Sequence, residues 1–117
     1  MIKLLLVEDD VNLCYIVQAG LQDVIGGYEV ITAGNGLEGL HAWEEHKPDI
    51  IISDIDMPEM DGFEMVRRIR ETDGDTPILF ASAMTSPKDV KHGYELGVNN
   101  YVKKPFVPEE MDAHLSL

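Results

Sequence analysis

Short apolar runs and segments of helical periodicity alternate five times along these 117 residues. The clearest run is Ile50-Ile51-Ile52, three β-branched residues without polar interruption, which predicts a central strand buried on both faces. Further strands are expected at about 3–7, 29–32, 78–81 and 101–102. Helices are expected at about 10–24, 36–46, 62–71 and 87–95, with a last one starting near Pro108. Strand followed by helix, repeated, implies a parallel sheet covered on both faces with right-handed crossovers. Five such units in a chain of this length match a flavodoxin-like (βα)5 fold. This is a three-layer α/β sandwich with strand order 2-1-3-4-5 and a switch point between strands 1 and 3.

The inward stripes follow from spacing. Helix 1 offers Val11, Cys14, Val17, Leu21 and Val24 and stops at Gly26-Gly27. Helix 2 offers Leu37, Leu40 and Trp43, and helix 3 offers Phe63, Val66 and Ile69. Cys14 is therefore expected in the core, where a free thiol behaves as a small hydrophobe, and Trp43 is expected to be a packing residue. His41, His46, His92 and His114 are expected on helix surfaces. The chain reads as one domain over 1–117. Its final helix is short, which leaves open a continuation beyond Leu117 into an output domain.

There are 22 acidic residues against 9 basic ones, a net charge of −13. Phosphate backbones need clustered Lys and Arg, so the charge argues against nucleic acid as a direct partner and favours cations or basic protein surfaces. A single cysteine excludes an internal disulfide. No apolar run approaches the ~18 residues of a membrane span. The N-terminal stretch turns acidic at Glu8-Asp9-Asp10 without a cleavage site, so it reads as a strand rather than a signal peptide. A cytoplasmic location is expected.

The chemistry gathers at strand ends. Glu8, Asp9 and Asp10 follow strand 1, and Asp54 follows strand 3. Neighbouring strands 1 and 3 bring these acids to the switch point, the usual ligand crevice of open α/β sheets. Carboxylates this close repel unless a cation joins them. Oxygen donors select a hard ion such as Mg²⁺, commonly held by carboxylates, waters and a phosphate. Asp10 is better suited to capping helix 1, and Asp9 to the metal. Ser82 ends strand 4 and Lys104 follows strand 5, so a hydroxyl and an ammonium stand ready to grip phosphoryl oxygens.

With these residues assembled, the chain resembles a response-regulator receiver domain along nearly its whole length. The matching residues are Val7-Glu8-Asp9-Asp10, Asp54 with Met57-Pro58 and Asp61-Gly62, Ser82-Ala83, and Lys104-Pro105-Phe106. The resemblance implies that Asp54 accepts a phosphoryl group from a histidine kinase or a histidine phosphotransfer protein. It implies that Glu8, Asp9, the Asp54 carboxylate and the Asp56 backbone carbonyl hold Mg²⁺, with Mn²⁺ as a substitute. Ser82 and Lys104 would bind the phosphoryl group. Ser82 and Tyr101 would form a switch acting on a surface of helix 4, strand 5 and helix 5, which meets a downstream partner or a second copy. Asp56 and Met84 would tune dephosphorylation, and the Lys104-Pro105 bond would be cis. Asn99-Asn100 replace a pair often small or acidic in the family, with little effect expected because Asn suits turns.

The resemblance implies a phosphoacceptor that assists its own phosphorylation, not a turnover enzyme on external substrates. Asp54-x-Asp56 also matches the nucleophile motif of haloacid-dehalogenase-type enzymes, but those carry it after their first strand. A non-phosphorylated receiver-like interaction module is the alternative, though such modules usually lose the acceptor, the lysine or the acid pair, all kept here. A flavin binder would meet repulsion from Glu8-Asp9-Asp10.

Overall fold

In the computed structural model, which describes residues 1–83 and 86–115, the apolar runs form one five-stranded parallel sheet. The strands are β1 (Ile2–Val7), β2 (Tyr28–Ala33), β3 (Ile50–Ser53), β4 (Ile78–Ser82) and β5 (Asn100–Lys103), in the order β2-β1-β3-β4-β5. The helices are α1 (Val11–Ala19), α2 (Gly36–His46), α3 (Gly62–Arg70), α4 (Pro87–Leu96) and α5 (Pro108–Leu115). Val7 pairs in register with Ala33 on one side and Ser53 on the other. The carboxyl ends of β1 and β3 therefore lie side by side, and the acids that follow them share one edge.

Alternation within each buried strand divides the core into two layers. Leu5, Val7, Ile51, Ile78 and Phe80 face Leu40, Met65, Val66 and Ile69 of α2 and α3. Leu4, Leu6, Ile52, Leu79, Ala81 and Val102 face Val17, Leu21 and Met111 of the α1 and α5 side. Each fully buried Leu or Ile contributes about 1.5–3 kcal/mol, so consecutive residues of β3 stabilise opposite faces of the same strand.

Helix starts are set by side-chain caps. Asp10 Oδ1 accepts from the Asn12 and Leu13 N–H groups, Asn35 from Glu38 N–H, Asp61 from Glu64 N–H, and Ser86 from Asp89 N–H. The capping reading of Asp10 agrees with this. The Lys104-Pro105 peptide bond is cis.

Three sequence expectations need correction. The single helix over 10–24 is α1 followed by a π-helical segment, Gly20–Ile25, closed by Gly26 N–H donating to Leu21 O at 2.9 Å. The i→i+5 spacing rotates the later side chains, so Ile25 packs on the core while Val24 is 77% exposed. Val11 is exposed too, and Cys14 is only half-buried. In α2 Leu40 and Trp43 face the core as expected, with Gly36 and Gly39 buried beside them, but Leu37 points outward. The helix lies too close to β1 and the β3–α3 loop for a larger stripe. Of the histidines, His41 and His92 are exposed but His46 and His114 are half-buried. The His114 Nδ1 lies 3.1 Å from Asn100 Nδ2, which draws that ring against β5.

Candidate functional site

Glu8 is the residue immediately after β1, and its side chain is almost wholly buried. An isolated buried carboxylate is costly, so its partners matter. The Asp10 N–H donates to Glu8 Oε2 at 3.1 Å, and Lys104 donates to Glu8 Oε1. The same ammonium donates to Asp54 Oδ2 at 3.0 Å. Asp54 Oδ1 in turn accepts from the Ile55 N–H at 2.7 Å. One cation thus bridges two carboxylates from two neighbouring strand ends.

The charges perturb one another in a readable way. Burial pushes the Glu8 carboxyl up from its ordinary value, against the lowering hydrogen bonds from Lys104 and the Asp10 N–H. Burial alone would lower the Lys104 ammonium. The hydrogen bonds to Glu8 and Asp54, together with their charges, outweigh it and hold the group above its ordinary value. Lys104 is a firm cation at neutral pH. Burial, followed by the Glu8, Asp10 and Asp9 charges, pushes the Cys14 thiol up to about 11. That thiol donates to the Glu8 carbonyl at 3.4 Å and is not a reactive thiolate.

Asp9 is exposed at the mouth of the same edge. One carboxylate oxygen from each of Glu8, Asp9 and Asp54 lies within 4.8 Å of the others. Three hard oxygen donors on rigid strand ends fit a divalent cation of the Mg²⁺ type. Asp56 is exposed two residues along the loop from Asp54.

Ser82 closes β4 and is buried. Its strand neighbour in register is Lys103, so it stands one step from Lys104; the Lys104 N–H donates to the Ser82 carbonyl at 3.0 Å. Tyr101 is half-buried on β5, its ring edge-on to Phe80 at 5.9 Å. Burial, then the Asp89 and Asp54 charges, pushes its phenol up to about 12, so it stays neutral. Met84 lies outside the described residues.

Some residues named in the sequence have roles that it did not disclose. The Gly62 N–H donates to Ile55 O at 2.7 Å, and a Cβ there would strike the Asp54 carbonyl oxygen. The signal available was a glycine opening a helix just after the acceptor loop. The Glu8–Lys104 pair had no local signal, since its members are 96 positions apart. Asn99 does more than turn the chain: its Oδ1 accepts from the Ile78 N–H at 2.9 Å and from Arg70 Nη2 at 3.1 Å.

Comparison with known proteins agrees with this geometry. The model of the response regulator receiver domain matches residues 4–116. The alkaline phosphatase synthesis transcriptional regulatory protein PhoP of Bacillus subtilis is 37% identical over 113 residues, covering 97% of this chain and 46% of that protein. The transcriptional regulatory protein PrrA of Mycobacterium tuberculosis is 38% identical over 113 residues, covering 97% and 48% respectively. The chain spans about half the length of these curated relatives. The structure of the chemotaxis response regulator CheY4 of Vibrio cholerae superposes with a TM-score of 0.91 at 39% identity, covering 99% of this chain and 97% of that one.

Proposed function

The chain belongs to the response regulator receiver domain family, and we propose that Asp54 is its phosphoacceptor. The observation that carries this is Lys104 held against Asp54 Oδ2 beside the Glu8 and Asp9 carboxylates. The donor would be a histidine kinase or a histidine phosphotransfer protein. An Asp54 carboxylate oxygen attacks the phosphorus of the phosphohistidine. The P–N bond breaks, and its electron pair stays on the imidazole nitrogen, which takes up a proton. The product on this chain is an acyl phosphate.

Phosphoryl transfer asks for positioning and charge neutralisation more than for covalent assistance. Lys104 supplies a fixed cation, and Ser82 supplies a hydroxyl for a phosphoryl oxygen. Glu8, Asp9, the Asp54 carboxylate and the Asp56 backbone carbonyl would hold Mg²⁺, or Mn²⁺ in its place. Bound there, the ion neutralises charge on the transferring group. Asp56 and Met84 would set how fast the acyl phosphate is hydrolysed. The domain assists its own phosphorylation and dephosphorylation but turns over no external substrate.

Ser82 and Tyr101 would link the phosphoryl group to the surface of α4, β5 and α5. That surface meets an output protein, an attached domain or a second copy. Because the relatives are about twice as long and are named transcriptional regulators, we favour a receiver domain within a longer cytoplasmic regulator. Its own net charge of −13 argues against this domain touching nucleic acid. Among the described residues no helix is long and apolar enough to cross a membrane.

The test is intact mass after incubation with Mg²⁺ and acetyl phosphate. Wild type should gain one phosphoryl group, and chelation of the metal should suppress the gain. An Asp54→Asn variant that gained it equally would refute the reading.

A further inference from the structure

We infer that Gly36 is a positioning residue for the acceptor site, acting through the loop between β3 and α3. The inference rests on the reading of Asp54 above. That loop, residues 54–61, holds both Asp54 and Asp56. Its ends are tied close to home: Asp54 N–H donates to Val7 O at 2.9 Å, and Gly62 N–H donates to Ile55 O at 2.7 Å. Its far side is tied by a different element. The Gly36 N–H, in the first turn of α2, donates to the Met60 carbonyl at 2.9 Å. A first-turn N–H has no acceptor within its own helix, so this donor serves the loop at no cost to α2.

The approach leaves no room for a side chain. A Cβ on Gly36 would lie 2.5 Å from Met60 O and 3.0 Å from both Met60 C and Asp61 O. All of these are backbone atoms, so no rotamer change relieves the clash. Asn35 caps α2 by accepting from Glu38 N–H at 2.9 Å, and Leu40 anchors the helix in the core. The loop is the part that gives. Glu8 and Asp9 follow β1 and do not travel with it. Shifting Met60 therefore moves the Asp56 stretch of the loop relative to Glu8, Asp9 and the Asp54 backbone, which is tied to Val7, and the set of oxygen donors falls out of register.

The test compares Gly36→Ala with Gly39→Ala. A Cβ on Gly39, in the same helix, would meet Met65 Sδ at 2.7 Å and the Val7 side chain, which are core groups rather than loop backbone. Both variants should lose thermal stability. Mg²⁺ is then titrated into each by calorimetry. The dissociation constant should rise about 10-fold in Gly36→Ala, a typical cost of disturbing the supports of metal ligands, and stay at the wild-type value in Gly39→Ala. Equal weakening in both variants, or none in Gly36→Ala, overturns the inference. If Gly36→Ala does not fold, wild-type NMR decides: the Gly36 amide should shift on Mg²⁺ titration while Gly74, in the α3–β4 loop, stays still. An unmoved Gly36 amide overturns it. Wild type that binds Mg²⁺ and is phosphorylated beside an unaffected Gly36→Ala refutes this inference alone; wild type that does neither refutes the site reading itself.

Discussion

Lys104 and Asp54 are 50 positions apart in sequence and 3.0 Å apart in space, with Glu8 on the other side of the same ammonium. Removing the lysine leaves a buried carboxylate without its cation. Lys104→Met is expected to cost about 2 kcal/mol at neutral pH, the buried-pair penalty reduced for the partial exposure of Lys104. It should also slow phosphorylation about 100-fold, the usual cost of losing one fixed charge-stabilising donor. Burial already holds Glu8 above its ordinary value, and without Lys104 it should rise further. A raised carboxyl favours the folded state at low pH, and that advantage is lost as pH climbs through the folded value. The deficit of the variant should therefore be larger at pH 7 than at pH 5 in urea titrations. An equal deficit at both would contradict the assignment.

Asp73 offers the opposite sign. It accepts from Thr76 Oγ1 at 2.6 Å, from the Thr76 and Asp75 N–H groups at 3.0 Å, and from Trp43 Nε1 at 3.1 Å. The Thr76 hydroxyl leads in holding this carboxyl far below the usual range. A depressed carboxyl stabilises the fold above its unfolded pKa, near 4, and that stabilisation fades as pH falls toward the folded value. Asp73→Asn should cost about 1 kcal/mol at pH 7 through its lost charged acceptor. The gap from wild type should narrow between pH 4 and pH 2, as read by thermal melts. A gap that widened there would be the wrong sign.

These two clusters differ in how legible they were. The five strands stood out because buried parallel strands are continuous apolar runs, and Ile51 and Ile52 show it most clearly. The acids at strand ends stood out because a charge directly after such a run has only the sheet edge to occupy. Trp43 packs on the core as its spacing implied, but nothing in spacing discloses an indole N–H reaching Asp73, 30 positions away. The π-helical segment was hidden because Val24 fits an α-helical stripe, and the segment packs closely against α5. There a Cβ on Gly20 would lie 2.5 Å from Pro108 Cγ.

Gly62 is expected to tolerate no side chain. A Cβ would strike the Asp54 carbonyl and approach Ile55 Cα within 3.0 Å. Gly62→Ala should lose about 1–3 kcal/mol by overpacking. It should also reduce phosphorylation of whatever protein remains folded. A variant as stable as wild type in urea would show that the loop yields freely.

Tyr101 lies between β4 and α4: its ring packs on Phe80, and a Cβ on Gly93 would lie 3.6 Å from it. Tyr101→Ala should keep phosphorylation by acetyl phosphate while uncoupling α4. The NMR shifts of Gly93 and Gly97 on adding beryllofluoride should shrink relative to wild type. Shifts of full size in the variant would remove Tyr101 from the switch.

A phosphoryl group taken on the Asp54 carboxylate would be an acyl phosphate. Borohydride reduces an acyl phosphate to an alcohol, converting the modified aspartate to homoserine. After treatment with acetyl phosphate and Mg²⁺, then borohydride, peptide mass mapping should find homoserine at position 54 and at no other acidic residue. Homoserine at Asp9 or Asp56, or phosphate on a side chain that borohydride does not reduce, would show that Asp54 is not the acceptor.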